Sequence, residues 1–214
     1  MINKLMQLLQ EGHPLRACDP GEFSSLRANG MRFTVWAWEA EGLGHVSWMH
    51  AGGFFGLMKM DTLIVNPKEV DLPLYSYDRI LAMGNDTLIA ELYDTTVNGF
   101  AAPDLDAVCA RAAGLPDRDP GVHWYDSIRL PQSLSKKGKK PQHAAFDTLA
   151  LNHLKAWLKT ECPPLTDKAA KQAKTAAYVE GLLTHGGPST DVFMKALGRE
   201  KTEQLFRKVL FGTE

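Results

Sequence analysis

The chain is short of cysteine, has little net charge and lacks any long apolar run, and each shortage excludes something. Its three cysteines, Cys18, Cys109 and Cys162, are odd in number and widely spaced, with no Cys-x-x-Cys pair. That argues against a disulfide framework and against an iron–sulfur cluster held by this chain, and it suits a reducing cytoplasm. No apolar run approaches the ~20 residues of a membrane-spanning helix. The start, Met1-Ile2-Asn3-Lys4-Leu5-Met6, lacks the apolar region and small-residue cleavage site of a signal peptide. A net charge of −1 argues for neither nucleic acid nor a membrane as a partner. No Gly-x-Gly-x-x-Gly follows a strand, no His-Glu-x-x-His is present, and no Gly-x-Ser-x-Gly marks a hydrolase turn. Redox chemistry on such a chain needs an electron donor from outside, with no tightly bound cofactor.

What is present reads as one globular domain of 214 residues, with 44% hydrophobic and 23% charged residues and enough length for a real core. Ile2, Leu5, Met6 and Leu9 form a helical stripe that Gly12-His13-Pro14 ends. From Arg32 to Ala40 apolar residues occupy both alternating faces, as in a strand covered on both sides. His45–His50 reads as its return strand. Leu57–Val65, Leu74–Met83 and Thr87–Tyr93 read as three more, the last two joined by a tight turn at Gly84-Asn85-Asp86. A short helix is expected over Pro103–Ala113, a further strand over Val122–Leu130, and a basic, helix-poor segment over Ser133–Gln142. Three helical regions follow, around Phe146–Leu158, Asp167–Leu183 and Ser189–Phe211. Strands first and helices afterwards predict an α+β fold with helices on an antiparallel sheet. The whole chain, 1–214, is then one domain: an N-terminal helical segment 1–30, mainly sheet over 31–130, and C-terminal helices over 144–212, all covering one sheet face.

The most informative stretch is Asp71-Leu72-Pro73-Leu74-Tyr75-Ser76-Tyr77-Asp78, which follows the apolar run Thr62-Leu63-Ile64-Val65 and a turn at Asn66-Pro67. It puts a carboxylate, Asp78, inside a strand. Desolvating a charge is costly, so such an acid is either on a solvated face, paired with Arg79 or Lys59, or kept for chemistry.

This octapeptide resembles a segment of the ferredoxin-dependent bilin reductase family, which includes the red chlorophyll catabolite reductases. The family segment reads Asp-Leu-Pro-(Leu/Ile)-Phe-Gly-x-Asp; here Asp71, Leu72, Pro73, Leu74 and Asp78 match, with Tyr75 for the Phe and Ser76 for the Gly. The ending, Ala196-Leu197-Gly198 followed by a helix to Val209-Leu210-Phe211-Gly212, is similar to the family's ending, and Trp124 and Phe146 fall in its order. The resemblance spans roughly 55–96 and 122–212. It implies an α/β/α sandwich whose ligand lies between the sheet and the C-terminal helices. It makes Asp78 the proton donor to a linear tetrapyrrole, which suits a carboxyl whose pKa burial raises.

The resemblance bears on other residues as well. Asp61 falls where several family members carry an assisting His; two acids facing one ligand could split their pKa values, or Asp61 could be an exposed strand residue. His50 and His185 are candidate substrate contacts, beside Ser76, with structural roles as the alternative. The family's second functional Asp corresponds to Gly187, so that acid is missing. Lys136, Lys137, Lys139 and Lys140 form the one concentrated positive patch, suited to an acidic ferredoxin or flavodoxin, or else a solvated loop. The expectation is a cytoplasmic oxidoreductase that reduces a bilin or chlorophyll catabolite with electrons from ferredoxin. The alternative is a protein that binds a tetrapyrrole or another large planar ligand without turnover.

Overall fold

The computed structural model describes residues 1–214, apart from the side chain of residue 188. Its centre is one eight-stranded sheet, antiparallel throughout, made of β1 (Leu15–Cys18), β2 (Ser25–Ala28), β3 (Met31–Ala40), β4 (Gly44–Gly53), β5 (Met58–Pro67), β6 (Leu74–Ala82), β7 (Asn85–Tyr93) and β8 (Leu134–Gly138). The order is β1-β3-β4-β5-β6-β7-β8, and β2 shares β3's outer edge with β1. From β2 to β8 each strand pairs with the next in sequence, through short connections as far as β7. Two of the hairpins turn on residue pairs with positive φ, Asn29-Gly30 between β2 and β3 and Met83-Gly84 between β6 and β7. That backbone matches the twist of the strands it joins.

Alternation divides the sheet's side chains between two cores. On one face Val46, Leu63, Val65, Tyr75, Tyr77, Leu88 and Leu92 pack under α1 (Ile2–Gly12), α2 (Pro103–Arg111) and α3 (His143–Leu158). On the other, Phe33, Val35, Met49, Ile64, Leu74 and Tyr93 pack under α4 (Lys168–His185), α5 (Pro188–Leu197), α6 (Arg199–Gln204) and a π-helical turn, Leu205–Leu210. The result is an α/β/α sandwich.

Several expectations need correcting. The helices after Ala144 do not share a face: α3 brings Phe146, Leu149, Leu154 and Trp157 to the core that α1 covers, and only the later helices cover the other. Val122–Leu130 is not a strand. Ile128 and Arg129 both donate to the Tyr125 carbonyl in a local turn, and the segment reaches β7 only at its end, through the Leu130 amide on the Leu92 carbonyl and one isolated bridge from Arg129 to Tyr93. The sheet's last strand is instead the basic segment, which pairs with β7 as β8. Residues 1–30 hold two short strands as well as a helix.

Polar side chains of the sheet tie down the chain's end. His45 Nε2 donates to the Val209 carbonyl at 2.8 Å, Ser47 Oγ to Leu210 at 2.7 Å and Asn66 Nδ2 to Phe211 at 2.7 Å. These donors satisfy carbonyls that the end of a helix leaves without partners. Gly212 then has φ +58 and lies against His45, whose ring a Cβ would meet at 2.4 Å. Only glycine meets both demands.

Candidate active site

A cleft opens between the middle of the sheet and α4. Its floor is Thr62 and Ile64 of β5, Ser76 and Asp78 of β6, and Ile89 and Glu91 of β7. Tyr178 and Leu182 of α4 roof it, with Phe206, Leu210 and Phe211 from the chain's end. Gly187, Ser189 and Thr190, where α5 begins, close one side, and Arg118, His123 and Tyr125 line the other. The cleft holds about 850 Å³ of empty space, counting its open mouth.

The motif 71–78 builds both a bracket and the cleft's acid. Buried Asp71 accepts the backbone N–H groups of Val97 at 2.9 Å and Asn98 at 2.8 Å. Lys171 of α4 reaches down to donate to the Leu72 carbonyl at 2.5 Å. Burial pushes the Lys171 ammonium down to about 8. Asp71 and Leu72 thus fix the helix that roofs the cleft. Past the proline, Asp78 is the fifth residue of β6 and lines the floor. Thr62, Asp78 and Ile89 are paired across three strands and stand abreast.

Asp78 keeps some accessible surface inside the cleft, yet its carboxyl is pushed up to about 6, first by burial and further by the charge of Glu91. Thr62 Oγ1, donating at 2.5 Å, and the more distant Arg118 pull the other way. A carboxyl at this value can hold and release a proton near neutrality. Glu91 is differently placed: it accepts Tyr93 Oη at 2.5 Å and pairs with Arg129 at 3.3 Å.

The aromatic wall is a connected set. Tyr93 stacks on Tyr178 at 4.3 Å and meets Tyr125 edge-on at 5.3 Å, and His123 stacks on Tyr125 at 4.8 Å. Burial raises the phenol of Tyr125 to about 12 and those of Tyr93 and Tyr178 well above their ordinary value, so all three stay neutral. Trp124 Nε1 donates to the Gly186 carbonyl at 3.2 Å and ties this loop to the end of α4. The indole lies so close to α4 that a Cβ on Gly181 would meet it at 2.2 Å. Arg118 supplies the cleft's guanidinium, with Ser135 Oγ at 3.3 Å. A floor acid that can carry a proton, flat aromatic walls and a guanidinium together suit a planar, conjugated, anionic ligand.

Of the residues singled out in the sequence, Asp78 and Ser76 line this cleft, and so does Gly187 in place of a second acid. Asp61 and His50 do not. Asp61 pairs across the ladder with Arg79, one residue out of step with Asp78, and a one-residue step reverses the face. On the far face Asp61 accepts hydrogen bonds from Trp48 Nε1 at 3.0 Å and His50 Nδ1 at 2.9 Å. His185 is exposed at the end of α4, its ring 5.5 Å from Trp124 and outside the cleft lining. Lys136 is buried, because β8's alternation turns it inward, where Nζ donates to Ala112 at 2.9 Å and to Asp117 at 2.6 Å. Lys137, Lys139 and Lys140 remain exposed. Thr62, Glu91, Arg118 and Tyr178 were not singled out in advance. Glu91 carried a signal, since Thr87, Ile89, Glu91 and Tyr93 alternate onto one face; the others depend on pairings between distant segments.

No family model matches the sequence, and no curated protein matches it. Among solved structures, the fold matches a phytochromobilin synthase from tomato in complex with biliverdin, with a TM-score of 0.74 and 15% sequence identity, over 99% of this chain and 82% of that one. The likeness is one of fold: the same antiparallel sheet with helices packed on it.

Proposed function

We propose that the cleft binds a linear tetrapyrrole and that the chain reduces it, with Asp78 as proton donor and reduced ferredoxin or flavodoxin as electron donor. The observation that carries this reading is the position of Asp78: a carboxyl held near 6 on the floor of an aromatic-walled cleft. The fold is shared with a phytochromobilin synthase that holds biliverdin, and that enzyme is a ferredoxin-dependent bilin reductase. The resemblance of residues 71–78 to that family's segment points the same way.

Reducing one double bond takes two electrons and two protons. The electrons arrive singly from the donor through a substrate radical. Asp78 delivers one proton and is recharged from solvent at the cleft mouth. Arg118 pairs with a propionate of the pigment. Gly187 leaves its side of the cleft without an acid, so the second proton comes from water. Lys137, Lys139 and Lys140 are the surface at which an acidic donor docks.

The missing acid at Gly187 favours a second reading, a protein that holds the pigment without turnover. Absorbance separates the two. Biliverdin added to the protein shifts its visible band under either. Only an enzyme changes that band further when reduced ferredoxin is supplied. A spectrum that stays fixed with excess reduced donor overturns the reductase; a band that never shifts overturns tetrapyrrole binding.

A further inference from the structure

One end of the sheet exposes apolar side chains that neither core uses. The β4–β5 loop presents Phe54 at 48%, Phe55 at 107% and Leu57 at 62% exposure, and the β6–β7 turn presents Met83 at 81%. The two tips lie side by side, with the Met83 amide donating to the Leu57 carbonyl at 3.2 Å. Phe54, Phe55 and Met83 all have positive φ, +51°, +55° and +49°. Residues of this size rarely adopt that backbone, and here it holds them out in solvent.

The flank of this end is cationic. Arg27 and Arg32 are exposed and directly paired across the β2–β3 ladder, and Gly52 places Lys59 in the same row. Like charges facing each other across a ladder repel unless an anion lies between them. The two arginines, with Asn29, Gly30 and Gly52, line an open hollow beside the Phe tips.

We propose that this end of the sheet docks on an anionic lipid bilayer, with Phe54, Phe55, Leu57 and Met83 entering the acyl boundary and Arg27, Arg32 and Lys59 meeting the headgroups. A protein interface needs a concave partner for Phe55, which is bare on all sides; a bilayer accepts a convex apolar tip as it stands. Cations beside the tip match the negative surface of the lipid. Among the described residues no helix is long and apolar enough to cross a membrane, and surface docking needs none. The proposal does not depend on the tetrapyrrole reading.

The test is co-sedimentation of the full chain with phosphatidylcholine vesicles, with and without phosphatidylserine, at low and high salt. The chain should bind the phosphatidylserine vesicles and leave them at high salt. Phe54→Asn with Phe55→Gly should weaken binding on the order of tenfold or more. Both replacements suit positive φ, so an unchanged thermal melt confirms that the fold persists. Arg27→Gln with Arg32→Gln should remove the preference for phosphatidylserine. Wild-type protein that stays in solution with phosphatidylserine vesicles overturns the proposal, as does binding that the Phe replacements leave intact. Self-association without vesicles, abolished by Phe55→Gly, would also overturn it and make the tip a contact between copies of the chain.

Discussion

Thr62 stands directly across the β5–β6 ladder from Asp78 and donates its hydroxyl to the carboxylate at 2.5 Å. A donor to the charged form favours that form and lowers the pKa. Thr62→Val keeps the side chain's shape and removes the donor. The Asp78 titration should then move above about 6, followed through its carboxyl carbon by NMR. An unchanged or lower midpoint would mean that the hydroxyl is not restraining the acid.

Stability should carry the same acid's signature. Burial raises the Asp78 pKa from 3.8 to about 6, so between those values the folded chain keeps a proton that the unfolded chain has released. This contribution is fully present below the unfolded value and is lost as pH rises through the folded one. The loss is at most ~3 kcal/mol, since each unit is worth ~1.4 kcal/mol. Asp78→Asn cannot lose a proton. Urea denaturation should therefore show the variant gaining on wild type as pH rises from 4 to 7, in the window set by ~3.8 and ~6. A difference that stays level with pH would show that the shift is absent.

On the far face, Arg79 grips buried Asp86 with two bonds, Nε at 2.5 Å and Nη2 at 2.6 Å, and lies 5.3 Å from the ring centre of Phe146. Cutting one partner strands the other charge in the interior. Arg79→Leu should cost ~3–5 kcal/mol, and Arg79→Leu with Asp86→Leu should cost less than that single change. Chemical denaturation of the single and double variants decides it. A double variant worse than Arg79→Leu would mean that the pair contributes more than its desolvation costs.

The sheet was legible in the sequence where alternation ran long, from Arg32 to Tyr93, because a period of two over eight or more residues has few other readings. Legibility failed where one residue changes the answer. Asp61 and Asp78 lie on neighbouring strands, and their faces depend on a register set by the connection through Asn66–Pro73, which no count along the chain supplies. β8 was hidden because its lysines read as solvated, whereas alternation turns Lys136 inward to the Ala112 carbonyl. Val122–Leu130 carries strand-forming residues, yet Trp124 and Tyr125 pack on Tyr178 of α4, and Tyr125 reaches β7 through its ring on Tyr93, not through a ladder. The cleft's roof was the least legible part. Tyr93 meets Tyr178 only because Lys171 and the last carbonyls of the chain pin α4 and the C-terminus to the sheet, and such contacts leave no local trace.

Opposite faces make Asp61 and Asp78 a matched pair of controls for the proposed chemistry. Asp78→Asn keeps the size of the side chain and its place beside Thr62 but has no proton to give. Bilin binding should survive, read as the shift of the visible band, and ferredoxin-driven reduction should slow ~10²–10⁴-fold, the usual worth of a positioned acid. Stalling with a radical spectrum would place the block after the first electron. Asp61→Asn removes an acid of the same strand pair that the sheet separates from the cleft. It loosens Trp48 and His50, so a small loss of stability is expected, with the reduction rate within about twofold of wild type. Both rates come from one anaerobic stopped-flow experiment. Equal slowing by the two variants would mean that the chemistry is not confined to the cleft face, and full activity in Asp78→Asn would mean that the proton comes from elsewhere.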